Sequence, residues 1–174
     1  MSENERPQPA EPAPSRPAMP AGYGIERSPS AEMIPWSAVG ERLAGARNYW
    51  LGTTRPDGRP HAAPVWGLWL DESFYFATDL ASRKARNLAA SPELVVHLES
   101  GDEVVILEGT AEAVADPSLL ARFADAYEAK YQSRPDTSSA APGVYRLRPR
   151  VAFAWLERNF PQSATRFIFQ PDSQ

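Results

Sequence analysis

Between Asn48 and Phe169 the chain is a succession of short apolar runs broken by turn residues. Such runs, rich in Val, Ile, Tyr, Phe and Trp, predict strands. The pattern predicts strands over 48–54 and 60–70, joined by the Pro56-Asp57-Gly58 turn, in which Pro fixes φ and Gly tolerates positive φ. Pro60 and Pro64 place the second strand at an edge or bulge, or where no ladder N–H is needed. "SFYFAT" is a third strand after an Asp71-Glu72 hairpin turn, and "ELVVHLE" a fourth. Ser100-Gly101-Asp102 turns the chain into a long fifth, "EVVILEGTAEAVA". "VYRLRPRVAFAWLE" reads as a sixth with a break at Pro149, and "ATRFIF" as a short terminal strand.

Helical spacing is confined to short inserts. "PWSAVGERLAGARN" carries Trp36, Val39 and Leu43 on one face, though Gly40 and Gly45 weaken it. "SRKARNLAA" begins at the N-cap candidate Ser82 and stops before Pro92. A third helix starts at Asp116-Pro117 and brings Leu119, Leu120, Phe123, Tyr127 and Tyr131 to or near one side; "SRPDTSSAAPG" after it is loop. No βαβ rhythm and no glycine-rich dinucleotide loop is present. An antiparallel sheet of this kind best avoids open edges by closing, so a small barrel is expected.

Parity along the strands adds a second expectation. Trp66 and Trp69 cannot both face the interior of one unbroken strand, and Tyr49 and Trp50 are split in the same way. Large aromatics pointing out of a small barrel imply a covered outer surface, either a subunit interface or a flat ligand.

Composition narrows the function. The 174 residues suffice for one domain. A net charge of −4 argues against a general nucleic-acid surface. Without cysteine there are no disulfides, thiolate metal sites or cysteine nucleophiles. No run approaches the roughly 20 apolar residues of a membrane span, and residues 1–24 hold no continuous apolar segment. A cytoplasmic protein is expected. Eight of the 18 prolines precede Trp36, so residues 1–32 are expected to be a disordered or loosely attached arm and residues 33–170 the folded domain.

The candidate chemistry centres on "TDLASRKARNL", Thr78 to Leu88. Arg83 and Lys84 lie in a first helical turn, where the dipole and free N–H groups are already positive. An anion would relieve that conflict, meeting helix N–H groups, a guanidinium and an ammonium together. A solvated charge run is the plainer reading, and the pattern leaves both open. Arg55, Arg59 and His61 could extend the positive patch. His61 and His97, the two histidines, lack the carboxylate spacing of a metal site. No hydrolase nucleophile motif is present.

Taken in order, "YWLGTTRPDGRPHAAPVWGLW", "FYFATDLASRKARNL", "VVHLESGDEVVILEGTAE" and "FPQSATRFIF" resemble the pyridoxamine 5'-phosphate oxidase-like split-barrel superfamily. More narrowly, they resemble its actinobacterial flavin/deazaflavin oxidoreductase B branch, which often uses coenzyme F420. The resemblance implies a mainly β fold, a six-stranded antiparallel split β-barrel with short accessory helices, and a homodimer with two cofactor sites at its interface. It implies that the cofactor phosphate meets Arg83 and Lys84, and that His61, Ala62, Ala63, Pro64 and Val65 run along the ring system. Thr78 and Asp79 would lie beside the phosphate and ribityl chain, with Asn87 a further contact. Trp155 and Arg166 would approach from the other subunit, while Gly52 and Gly67 could let a ring near the sheet.

The expected activity is hydride transfer between reduced F420 and a small conjugated organic acceptor, with no catalytic side chain of its own. FMN is the alternative cofactor, and a carrier of F420, FMN or haem without turnover the alternative role. True pyridoxamine phosphate oxidase activity is not expected, because Arg146-Leu147-Arg148-Pro149 only echoes, in the wrong region, that enzyme's C-terminal substrate segment.

Overall fold

The structure, a computed structural model, describes residues 11–138 and 143–170. The outer part of the expected arm, 1–10, and residues 139–142 of the expected 133–143 loop lie outside the described residues.

Strand β1 is Pro14–Ser15, helix α1 Trp36–Gly45, then β2 Asn48–Thr54, β3 Pro60–Leu70, β4 Ser73–Ala77 and α2 Arg83–Ala90. There follow β5 Glu93–His97, β6 Glu103–Ala113, α3 Pro117–Tyr131, β7 Val144–Leu156, the single-turn α4 Phe160–Ser163 and β8 Thr165–Ile168. Every strand pairing is antiparallel. The sheet order β1-β8-β7-β4-β3-β2-β5-β6 closes through β6–β7, giving the expected six-stranded barrel of β2, β3, β4, β7, β6 and β5. β8 adds to β7 outside the ring, and β1 adds to β8.

Turn chemistry sets the register. Asp71 and Glu72 both take positive φ, 48° and 55°, as the tight hairpin between β3 and β4 requires. The expected break at Pro149 is a bulge: β7 runs unbroken, but Glu108 pairs with Val151 and Gly109 with Pro149, leaving Arg150 unmatched. Arg150 O is then free to accept the N–H of Phe169 at 3.0 Å, which seats the segment after β8.

The barrel is filled by Tyr49, Leu51, Phe74, Phe76, Leu107 and Leu147, and closed by the Trp36–Val39–Leu43 face of α1. A second cluster lies outside the sheet, where α3 sets Leu120, Phe123, Tyr127 and Tyr131 on Leu68 and Tyr75. The parity expectation holds. Trp69 turns inward onto Trp36, with centroids 5.9 Å apart, whereas Trp66 turns outward and stacks on Tyr131 at 4.7 Å and 5°. Helix α3 thus accounts for much of the outward aromatic surface.

Helix α3 also repairs the end of a ladder. β2 begins at Asn48, opposite Trp66, so Gly67 has no strand partner on that side. Its N–H donates to the Tyr131 hydroxyl at 3.0 Å, and that hydroxyl lies 2.7 Å from Arg47 O and 2.8 Å from Gly67 O. Lys130 Nζ donates to Gly67 O at 3.1 Å and Tyr49 OH at 3.0 Å. Gly67 is needed here because a Cβ would collide with the Phe74 ring and lie 2.8 Å from Tyr75 O. Its missing side chain makes room for the core.

Within the N-terminal arm, Pro14 pairs with Phe167 and Ser15 with Arg166. Arg16 donates to Gln162 O at 2.7 Å, Ala164 O at 2.9 Å, Glu26 O at 3.0 Å and also to Pro161 O. Tyr23 meets the Phe160 ring edge-on at 6.2 Å. These contacts tie the arm's inner half to the α4–β8 edge.

Candidate functional site

The loop from β4 to α2 is shaped by its own polar groups. Thr78 N–H donates to Gly143 O at 2.9 Å, and a Cβ on Gly143, whose φ is 66°, would collide with Thr78 O. The Thr78 and Ser82 hydroxyls lie 3.0 Å apart. Asp79 Oδ1 accepts the N–H of Ala81 at 2.7 Å, and Ser82 Oγ caps α2 by accepting from Ala85 N at 3.2 Å. Thr78 and Asp79 therefore build the loop that presents the start of α2.

Arg83 and Lys84 occupy that first turn. Among the described residues, Arg55, Arg83 and Lys84 enter no ion pair. Arg55 Nε is buried without a hydrogen-bond partner. The other cations of the expected patch are engaged: Arg59 binds Asp57 at 2.7 Å, and Arg86 donates to Ala81 O at 2.9 Å. His61 faces the unpaired group. Desolvation lowers its pKa from the ordinary histidine value, and the positive charges of Arg55, Lys84 and Arg83 lower it further.

Beside this cationic end lies a cavity of about 380 Å³ lined by Asn48, Pro64, Val65, Trp66, Ala77, Lys84 and Tyr127. Lys84 belongs to both regions. Of the residues expected along a ring system, Pro64 and Val65 are in the cavity wall. His61 is at the cationic end, while Ala62 is exposed and Ala63 half-buried on the same strand without lining the cavity. Asn87 is fully buried and donates from Nδ2 to Thr53 Oγ1 at 2.9 Å, beneath the cationic end rather than in the cavity wall. Gly52, with Val95 Cβ as its nearest neighbour at 3.7 Å, leaves the outer sheet face open.

Trp155 is elsewhere. It sits opposite Val104, edge-on to Phe160 at 5.6 Å. On the closed ring β4 alone separates β3 from β7, but β4 pairs with Val144–Leu147, at the opposite end of β7 from Trp155. Arg166 lies on β8 beside Ser15. What joins these regions is the outer face of the sheet. Pro64, Trp50, His97, Ile106 and Phe153 form one outward row, each opposite the next.

Asn48, Ala77 and Tyr127 in the cavity wall were not foreseen. Tyr127 reaches it because α3 folds back over β3 and β4, and its one legible signal was the four-residue spacing to Tyr131.

The family profile of pyridoxamine 5'-phosphate oxidase matches residues 36–156, from the first residue of α1 to the last of β7. The chain belongs to this family. A pyridoxine/pyridoxamine 5'-phosphate oxidase of Gluconobacter oxydans is 40% identical over 77 residues, covering 42% of this chain and 38% of that enzyme. The chain thus matches well under half the length of this curated relative. Among solved structures of the same fold, a conserved hypothetical protein of Mycobacterium tuberculosis is 27% identical with a TM-score of 0.62, covering 75% of this chain and 91% of that one. An F420 reductase shares the fold at 24% identity and a TM-score of 0.50, covering 64% of this chain and 94% of that one. Family membership supports an oxidoreductase fold related to flavin-binding proteins. Among the described residues no helix is long and apolar enough to cross a membrane.

Proposed function

We propose that the chain is an FMN-dependent oxidoreductase of the pyridoxamine 5'-phosphate oxidase family that acts on a small conjugated organic substrate. One observation carries this reading. Lys84 lines the cavity walled by Pro64, Val65, Trp66 and Tyr127 and also, with Arg83 and Arg55, acts on His61. A molecule with a flat apolar body and an anionic tail suits both regions at once. The unpaired cations fit the group: a phosphate at the start of α2 would take charge-assisted bonds from Arg83 and Lys84 and face the helix N–H groups. Pro64, Val65 and Trp66 would flank the ring.

When bound, the flavin supplies the hydride chemistry. The chain's own part is to hold the phosphate, orient the ring against β3 and exclude water from one face. No side chain is assigned as catalytic. Asp79 and Thr78 act by fixing the loop.

Coenzyme F420 is the competing cofactor. Its oligoglutamate tail calls for a longer cationic groove, but Arg59 is held by Asp57 and Arg86 by Ala81 O, which favours the single phosphate of FMN. The outward row from Pro64 to Phe153 begins at the cavity and supports a homodimer seated there, with Trp155 supplied by the second copy. Fluorescence titration with FMN and with F420 tests the choice. The reading expects FMN binding at micromolar or tighter dissociation constant, about 8 kcal/mol or more, and weaker F420 binding. The reverse order would replace the cofactor. Tight FMN binding without reduction or reoxidation by any enone or quinone would leave a carrier.

A further inference from the structure

The cationic end rests on a buried polar chain. Thr53 and His61 are paired across β2 and β3, and the Thr53 Oγ1 to His61 Nδ1 distance is 3.3 Å. Asn87, 0% exposed on the barrel side of α2, donates from Nδ2 to the same Thr53 Oγ1 at 2.9 Å. Thr53 itself is 4% exposed.

A hydroxyl carries one hydrogen. With Asn87 donating from Nδ2, its own Oδ1 is buried without a partner, and His61 Nδ1 is the acceptor within hydrogen-bond reach of the Thr53 hydroxyl among the described residues. Donation there leaves Nδ1 unprotonated and places the ring hydrogen on Nε2, the nitrogen turned away from the sheet. Forming the imidazolium would add to the ring a second hydrogen, placed on Nδ1 and aimed at the one Thr53 already supplies. The charged groups acting on His61, Arg55 from the hairpin and Arg83 and Lys84 from α2, are all cations and oppose the same step.

We infer that Thr53 and Asn87 are positioning residues that hold His61 as the neutral Nε2–H tautomer, so that it offers the cofactor phosphate a hydrogen bond without adding charge. This rests on the phosphate reading above. It divides the work at the site. Arg55, Arg83 and Lys84 supply charge, and His61 supplies direction, so that affinity does not follow histidine titration across the neutral range.

The relay is tested first without ligand. Two-bond ¹H–¹⁵N correlation spectra of the full-length apoprotein report the tautomer of each histidine, with His97→Gln assigning the pair. His61 is expected as Nε2–H, titrating below the ordinary value of about 6.5. Thr53→Val should mix the tautomers and raise the midpoint, and Thr53→Ser should restore both. FMN titration then reads the consequence. Thr53→Val should weaken binding about fivefold near pH 8, the worth of one neutral hydrogen bond, and part of the loss should return near pH 6. An Nδ1–H tautomer in the wild type overturns the relay. So does a Thr53→Val spectrum that matches Thr53→Ser in tautomer and midpoint. Failure of the wild type to bind either FMN or F420 is a separate result, which removes the cofactor reading and the phosphate role of His61 with it.

Discussion

Replacing Tyr131 with Phe isolates one hydroxyl that holds α3 to the barrel. The ring can stay stacked on Trp66, since that contact at 4.7 Å and 5° does not use the oxygen. Two backbone groups lose their partner: the buried Gly67 N–H, 3.0 Å from the hydroxyl, and the partly buried Arg47 O, 2.7 Å from it. Gly67 O keeps Lys130. An unsatisfied buried backbone group costs about 1–3 kcal/mol, and the Gly67 N–H is the more fully enclosed of the two. A loss of about 2 kcal/mol should lower the melting temperature by roughly 4–8 °C for a chain of this size. Thermal melts by circular dichroism at one fixed protein concentration, with urea midpoints alongside, measure it. A fall below roughly 1 °C would refute the claim that the hydroxyl replaces the missing strand partner of Gly67.

Stability should also depend on pH through Lys130. Burial, with a smaller contribution from Arg47, lowers its pKa from 10.5 to about 8. Between those values the unfolded chain holds the proton more tightly than the native one, so stability should rise with pH from about 8. Tyr49 and Tyr131 have raised pKa values, mainly from burial, and act in the opposite sense once unfolded tyrosine begins to ionise near pH 10. Urea midpoints should therefore peak between about pH 9 and 10, and Lys130→Met should flatten the rise; a wild-type profile that falls from pH 8 to 9.5 would contradict this. Gly67→Ala should destabilise by about 3 kcal/mol, the upper part of the overpacking range, because its methyl meets the Phe74 ring; chemical denaturation unchanged from wild type would show the site to be open. If the proposed homodimer seats on the outward row, wild type should sediment as a dimer and Phe153→Glu as a monomer with an unchanged far-ultraviolet spectrum; a monomeric wild type would remove the dimer, and a persistent dimer in the variant would move the interface elsewhere.

The barrel strands were legible because alternation and turn residues agree locally. Asp71-Glu72 and Pro56-Asp57-Gly58 each sit between apolar runs and set the hairpins directly. β1 and α4 were not legible, since strands of two residues and helices of one turn carry no period. Pro149 announced a break, but only pairing with β6 decides that the chain bulges at Arg150 and continues. At the site, Arg83 and Lys84 stood out because they oppose the helix dipole. Asn87 is a different case. Its helical position suggested access to a ligand, whereas α2 leans its inner face onto β2 and turns Asn87 to Thr53, 34 residues away. Asn48, Ala77 and Tyr127 come together through tertiary folding that no local pattern encodes.

The most direct test of the phosphate site compares FMN with riboflavin, which lacks the phosphate, on wild-type protein and on Lys84→Ala. If Lys84 grips that group, the wild type prefers FMN. Lys84→Ala then weakens FMN roughly tenfold or more, the worth of a charge-assisted bond, and changes riboflavin little. A preference for FMN that survives Lys84→Ala, or an equal loss for both molecules, would place the anion somewhere other than the start of α2.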